Sequence, residues 1–479
     1  MLAAFSLLAT GLVATSLTKA MFQDEAATLY AARLPWPQLW HHTRVVDAVF
    51  TLYYAFMHLW LSLSGTIAWA RTPSLLAYGT TVYLVGCLGA KRGGVWCGAL
   101  AAFLVASNAT LIDAALLARP YALTALVTTC ALTMLDHWLS TGRRSHLIWF
   151  LIWCSLDAGL HLFAALAPLA ALAGALVSTY RQKRAQWHSS LVPLATFGVL
   201  LVVYAGVLAS QVRQISWVPR ATLLGSVVEL LGPLLHATGM IDGVIVAAVA
   251  FTAVCVIALG LHRRANALSR AEWDDLVMLF SWTAVPGAVL VVVSFKTPVY
   301  VHRYLTDTTP GLALLVAVLV THAVRTLRLR GPWPLRSLVV ASGLLIASIV
   351  PSAASVVASV IQPTQQVAAF VGRHVGSGEV VLQGYIEQEW FDYYHPSNAP
   401  HWPLRRGLVS PDETEIDMRP IAFRSARPNL WVVVEHANRT MTTFAATLVH
   451  DGYRLVETKV FERATVFHFV KAQSVGLST

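Results

Sequence analysis

The chain has 479 residues, 56% hydrophobic and 12% charged, with a formal net charge of +10 and a mean hydropathy of +0.61. Soluble domains carry about a quarter of their residues as charges, so a string of soluble domains is excluded. Long apolar runs separated by short basic clusters describe a multispanning α-helical membrane protein, and the basic residues between those runs report topology and not nucleic-acid binding.

Residues 1–20 lack a basic leader and are read as a retained first transmembrane helix. Candidate spans are residues 2–17, 74–89, 94–112, 121–139, 146–156, 161–178, 191–210, 241–261, 275–295, 305–323 and 339–357. Eleven spans with the N-terminus inside put Lys91-Arg92, Arg143-Arg144, Arg181 with Lys183-Arg184, Arg263-Arg264 and Arg325 with Arg328 and Arg330 all on the cytoplasmic side. Residues 50–63 are apolar enough to invite a further span, but counting it would invert every later cluster. They are read as a helix along the outer membrane face, with Tyr53, Tyr54, His58 and Trp60 at the interface. The first external loop is then residues 21–73, with His41, His42, Arg44 and Asp47 exposed above that helix. Further outer loops hold LLARPY (116–121), residues 211–242 and FKTPVYVHRY (295–304).

The membrane domain is expected over residues 1–360 and an extracytoplasmic region over 361–479. From residue 376 acids and aromatics become common, with strand patterns at 430–434, 453–460 and 465–470 and a helix at 441–450. This is the signature of a small α/β domain. Cys87, Cys97, Cys130, Cys154 and Cys255 lie in or beside apolar segments at no metal or disulfide spacing.

Three acids, Asp24, Glu25 and Asp47, fall on the same predicted face as Arg119, Lys296, His302 and Arg303. Taken singly, each has an ordinary reading as a solvated interfacial acid or a snorkelling anchor. Together they suit a reaction on a lipid-linked phosphate: the cations hold the phosphate, and an acid acts as general base on an acceptor hydroxyl. The positive-inside rule disfavours a cationic cluster at residues 296–303, so an anionic partner is expected there. Arg119, near the hydrocarbon boundary, is expected to pair with Asp24, Asp113 or a phosphate. Asp157 is read equally well as a loop acid, and nothing catalytic is expected of Asp136. Asp24-Glu25 suits Mg²⁺, Mn²⁺ or Ca²⁺, and the metal is left open. No GxGxxG, Walker, HExxH or nucleophile-elbow motif occurs.

An ordered set of stretches carries a resemblance: Asp24-Glu25, VDAVFTLYYAFMHLW (46–60), ARTPSLL (70–76), GAKRGG (89–94), ARPYAL (118–123) and FKTPVYVHRYL (295–305). In these the chain resembles the GT-C superfamily of membrane glycosyltransferases. The branch is the polyprenyl-phosphate-sugar-dependent one that holds protein O-mannosyltransferases and the lipid A aminoarabinose transferase, with the actinobacterial mannosyltransferase-like proteins nearest. The resemblance implies a GT-C fold with juxtamembrane helices in the first external loop. It implies an inverting transfer, in cell-wall biogenesis at the outer side of the plasma membrane, from a polyprenyl-phosphate-monosaccharide. Mannose is favoured and arabinose second, with a glycolipid, lipoglycan, wall polysaccharide or protein as acceptor. Asp24 becomes the general base, with Glu25 and Asp47 beside it. Lys296, Arg303, Tyr304, Arg119 and Tyr121 become donor-phosphate ligands, and His41, His42, Tyr53, Tyr54 and His302 supporting or acceptor residues. The chain departs from the pattern at Phe50, where relatives often have histidine, and at Leu117-Ala118, where many have a glutamate. The competing classes are a lipid-linked sugar flippase, which would place its polar site in broken helices at mid-membrane, and a non-catalytic scaffold that keeps the fold.

Overall fold

The computed structural model describes residues 11–199, 269–328, 363–383, 394, 401–403, 429–434 and 448–471, apart from isolated positions inside those ranges. The predicted spans 241–261 and 339–357, most of 2–17 and 191–210, the 211–242 loop, Cys255 and most of the predicted 441–450 helix lie outside the described residues. The chain divides into two compact units, one of residues 1–17, 47–56 and 68–358 and one of residues 18–46, 57–67 and 359–479.

The described residues of the first unit are helical. Residues 11–18 form α1. After the 3-10 turn Ala48–Phe50 the chain enters α4 (Thr51–Leu61, of which residues 51–56 belong to this unit), then α5 (Ile67–Gly93, from residue 68 in this unit), α6 (Val95–Ala106), α7 (Ala109–Ala115), α8 (Tyr121–Thr141) and α9 (Arg144–Leu160). A second 3-10 turn, Leu162–Ala165, runs into α10 (Leu166–Thr179), followed by the short α11 (Arg184–His188). Beyond it come α12 (Arg270–Ser294), a third 3-10 turn (His302–Thr308) and α13 (Thr309–Arg328). Helices α2 (Gln23–Arg33) and α3 (Trp36–Val45) belong to the second unit.

Among the described residues five helices are long and apolar enough to cross a membrane: Ile67–Gly93, Tyr121–Thr141, Leu162–Thr179, Arg270–Ser294 and Arg303–His322. The chain is a multi-pass membrane protein. The predicted continuous span 94–112 is instead two helices bent by 62°. Asn108 causes the break, its side chain accepting from Leu111 N at 3.0 Å and capping a new helix. Predicted span 146–156 lies within the 17-residue α9, about 25 Å long and at the lower limit for a crossing helix. Ala48–Leu61 is shorter still.

Small residues set the helix spacing. A Cβ on Gly98 of α6 would lie 2.5 Å from the Gly86 carbonyl oxygen of α5, so only glycine allows that approach. At the end of α5, Arg92 hydrogen-bonds both oxygens of Asp136 on α8 (2.9 and 2.7 Å) and both of Asp275 on α12 (2.9 Å each). Its side chain is 7% exposed. A residue that the sequence presents as a topology marker is therefore also a three-helix clasp, and Asp136 has a structural role in it. Nearby, Lys183 Nζ and Gln186 Nε2 donate to the carbonyls of Leu139 and Trp138, so the α11 region closes the end of α8.

The second unit carries α14 (Pro363–His374) and a five-stranded sheet of β1 (Val380–Gln383), β2 (His401–Pro403), β3 (Asn429–Val434), β4 (Tyr453–Val460) and β5 (Thr465–Lys471). The order is β2-β1-β3-β5-β4. The first three strands run parallel, and β5 lies antiparallel to β3 and to β4. Val380, Leu382, Leu430, Val432, Leu448, Tyr453 and Phe469 form its core. The same unit includes the start of the first loop, where Met21 N donates to Tyr394 Oη at 2.9 Å.

Candidate functional site

In the second unit, Asp24 and Glu25 occupy the first turn of α2, where the helix dipole favours acids. Glu25 is fully buried and its Oε2 accepts from Phe22 N at 2.8 Å. It closes the start of its own helix. Asp24 beside it is half-exposed. His41 is exposed, and His42 is buried with its ring 6.0 Å from that of Tyr30.

In the first unit, the site starts at Asp47. This is the non-glycine residue with positive φ among the described residues (φ 57°, ψ 31°), a conformation that aspartate tolerates better than most side chains. The turn aims the carboxylate along α4, where Oδ2 accepts from the Tyr54 hydroxyl at 2.8 Å. Tyr54 is fully buried. Burial first, and then the Asp47 carboxylate, push its pKa well above the usual phenol value, so the hydroxyl stays protonated and serves as a donor to Asp47. Arg119 is 6% exposed. It donates from Nη1 to the Tyr54 oxygen at 3.4 Å, and its guanidinium lies 4.3 Å from the centre of the Phe50 ring. Phe50 thus supplies a cation–π floor. The corner before α8 is held by Ser74 of α5, whose hydroxyl donates to the carbonyls of Leu117 (2.8 Å) and Arg119 (3.3 Å).

A ring cluster adjoins these residues. The His161 ring centre lies 4.6 Å from Tyr304, 5.4 Å from Phe50, 5.6 Å from Phe163 and 5.8 Å from Tyr121. Phe163 and Tyr304 stack at 5.6 Å, and the Arg303 guanidinium is 6.0 Å from the Tyr121 ring centre. The third 3-10 turn delivers Arg303 and Tyr304. The preceding corner is folded by Ser294, whose hydroxyl accepts from Val299 N (3.2 Å) and Tyr300 N (2.9 Å).

Of the sequence-predicted residues, the structure brings Asp47, Tyr54, Arg119, Tyr121, Arg303 and Tyr304 together, with Tyr53 buried beside Tyr54. Lys296 is exposed on the corner leading to Arg303, and the His302 side chain lies outside the described residues. Sequence reasoning passed over the contributions of His161 and Phe163. The available signal was a histidine at the break between two apolar runs. It also undervalued two acids. Asp157 is no loop residue. It is fully buried near the end of α9, where it accepts from the Thr128 hydroxyl at 2.5 Å. Asp307, four positions past Arg303, is 1% exposed, and neither of its carboxylate oxygens has a hydrogen-bond partner among the described residues. Among those residues no group of three or more His, Cys, Asp or Glu is placed to hold a metal ion.

No protein-family model matches the chain, and no curated protein matches its sequence. Solved structures do match. ArnT from Cupriavidus metallidurans in the apo state aligns with a TM-score of 0.60 at 13% identity, covering 98% of this chain and 97% of that one. The fold is that of ArnT. A second structure of ArnT, bound to undecaprenyl phosphate, gives 0.59 at 12% identity over 97% of both chains. The chain therefore shares the architecture of ArnT along nearly its whole length. At these identities ArnT speaks to architecture and leaves the chemistry to the side chains.

Proposed function

We propose that the chain is a membrane glycosyltransferase that moves a monosaccharide from a polyprenyl-phosphate donor to an acceptor hydroxyl, with inversion, at the outer face of the plasma membrane. The observation that carries this reading is the convergence of Arg119 and Arg303 on one aromatic cluster that also receives the Asp47–Tyr54 pair. That convergence lies in a fold shared with ArnT, which has been captured with undecaprenyl phosphate. A guanidinium pair suits a phosphate leaving group, and aromatic walls suit an isoprenoid and a sugar face. Lys296, exposed before Arg303, adds a third cation for the lipid phosphate. Tyr121 and Tyr304 flank it. The full topology is eleven spans, with the first loop and the region after residue 361 extracytoplasmic. Mannose is the preferred sugar by resemblance, then arabinose; the acceptor is a glycolipid, lipoglycan, wall polysaccharide or protein.

In the reaction the acceptor oxygen attacks the anomeric carbon as the bond to the phosphate oxygen breaks. The phosphate leaves with the electron pair, and a carboxylate takes the hydroxyl proton. Two acids compete for that role. Asp24 has it by resemblance, whereas Asp47 is supported by geometry because it is linked through Tyr54 to Arg119. Glu25 is assigned to the structure of α2, and His41, His42, Tyr53 and His302 to support or acceptor contact.

The test gives the purified full chain polyprenyl-phosphate-mannose and, separately, the arabinose equivalent, with membrane lipids as acceptors. Sugar transfer that disappears in folded Asp24→Asn or Asp47→Asn identifies the base. Donor binding without transfer by the wild type favours a scaffold, and donor movement across a vesicle without transfer favours a flippase.

A further inference from the structure

We propose that His161 is a third ligand of the donor phosphate, a neutral hydrogen-bond donor set between Arg119 and Arg303 and covered in this structure by the Tyr304–Phe163 stack. The inference rests on the reading above and deepens it.

His161 is 1% exposed, and its Nε2 is closed to solvent with no hydrogen-bond partner among the described residues. Four aromatic rings surround it at 4.6 to 5.8 Å. Such a cage would hold phenylalanine with no polar atom left over, so an imidazole there is costly unless something else satisfies it. The backbone fixes its place. His161 N donates to the Asp157 carbonyl at 2.9 Å, and the His161 carbonyl accepts from Ala164 N at 2.9 Å, locking the residue between α9 and the second 3-10 turn. The ring therefore has little freedom to find another partner.

Arg119 lies against the Phe50 ring and Arg303 against the Tyr121 ring, two walls of this cage. A third positive charge beside them is unfavourable, so the imidazole is neutral and offers one N–H. An anion that bridges the two guanidiniums meets that N–H as well. The covering rings are able to yield: Tyr304 and Phe163 are half-exposed, whereas His161 is buried. Outward rotation of the Tyr304 ring, nearest at 4.6 Å, uncovers the imidazole without moving a helix.

The test measures equilibrium binding of sugar-free undecaprenyl phosphate to the purified full chain in detergent, alongside sugar transfer. His161→Phe fills the cage and removes the N–H, and is expected to weaken binding about tenfold or more. Donor KM should rise in parallel while kcat at saturation changes far less. His161→Gln, a neutral donor, should recover binding to within about threefold of wild type. Phe163→Leu loosens the cover and should speed association. Wild-type affinity in a His161→Phe protein with a native elution profile and unfolding temperature overturns the inference. If that variant does not fold, a folded His161→Gln protein weakened by about tenfold or more, together with an unchanged association rate in Phe163→Leu, overturns it instead. A wild-type chain that binds no polyprenyl phosphate and transfers no sugar removes the functional reading itself. Binding and transfer by wild type, with His161→Phe unaffected, removes only the role of His161.

Discussion

Tyr54→Phe isolates the link between the acid and the arginine. The hydroxyl donates to Asp47 at 2.8 Å and accepts from Arg119 at 3.4 Å. Phenylalanine fills the same buried volume, so no cavity forms and both of those bonds are lost. A hydrogen bond to a charged group contributes about 1.5–3 kcal/mol, and the longer bond to Arg119 is near the geometric limit and adds little. Asp47 is half-exposed, so water replaces part of what it loses, and the lower bound of about 1.5 kcal/mol applies. In a reaction that uses Asp47 as base this is about a tenfold fall in kcat, with donor KM little changed because Arg119 keeps its place over Phe50. The same variant should lower unfolding stability by about 1 kcal/mol. The assay is steady-state transfer with varied donor, together with thermal unfolding in detergent. A variant with wild-type kcat and wild-type stability would refute the link. A variant with unchanged kcat but raised KM would move the role of the hydroxyl from Asp47 to Arg119.

Asp47→Asn should keep the left-handed turn, since asparagine adopts it readily, and so should fold normally while losing transfer; Asp47→Val should destabilise the chain by about 1–3 kcal/mol, read from the unfolding temperature. Arg92→Met strips one cation from two carboxylates with side chains 10% and 23% exposed, and should cost about 3–5 kcal/mol of stability; a loss under about 1 kcal/mol would show that the clasp is solvated. Phe50→Leu removes the ring face under Arg119 and should weaken donor binding by about five- to thirtyfold, from the ~1–2 kcal/mol of a desolvated cation–π pair. His468, stacked on Trp431 at 4.0 Å, has its pKa lowered by burial, against the opposing pull of Glu379 and Glu457. The unfolded chain therefore takes up a proton near pH 6.5 that the folded sheet resists, and stability falls as pH drops through that value. His468→Phe keeps the stack and should flatten that slope in unfolding measured between pH 7.5 and about 5.5.

The helices were legible where apolarity and length were unambiguous. Residues 121–139 and 275–295 lie almost wholly within Tyr121–Thr141 and Arg270–Ser294, because about twenty apolar residues admit few alternatives. The break at Ser107-Asn108 was not legible, since a capping asparagine inside an apolar run does not alter average hydropathy. The corners ARPY and VHRY could be picked out because cations at the edge of apolar runs are conspicuous. What they touch could not. That Arg119 rests on Phe50, 69 positions before it in the sequence, is a tertiary contact that no local pattern encodes. His161 and Asp307 went unnoticed because single polar residues in apolar surroundings carry no pattern.

The turn at Asp47 explains why so short a stretch of chain supplies so much of the site. Asp47 stands in the left-handed turn, Phe50 at the end of the 3-10 turn that Asp47 caps, and Tyr54 in the first turn of α4, and together they form one stripe. A carboxylate, an aromatic face and a hydroxyl are thereby presented on the side that meets Arg119. Each residue added or removed between Asp47 and Tyr54 would rotate that stripe by about 100° and separate the acid from the arginine, even if the helix formed as before. The left-handed turn fixes where the stripe begins: Phe50 N bonds the Asp47 carbonyl at 2.9 Å, so the helix starts in register with the acid. The phenylalanine is the part of the stripe that departs from the resembling family. A histidine there would place a titratable ring against a buried guanidinium, whereas Phe50 gives Arg119 a neutral face at every pH. Donor binding through Arg119 should accordingly show no added inflection near the histidine range, and Phe50→His should introduce one.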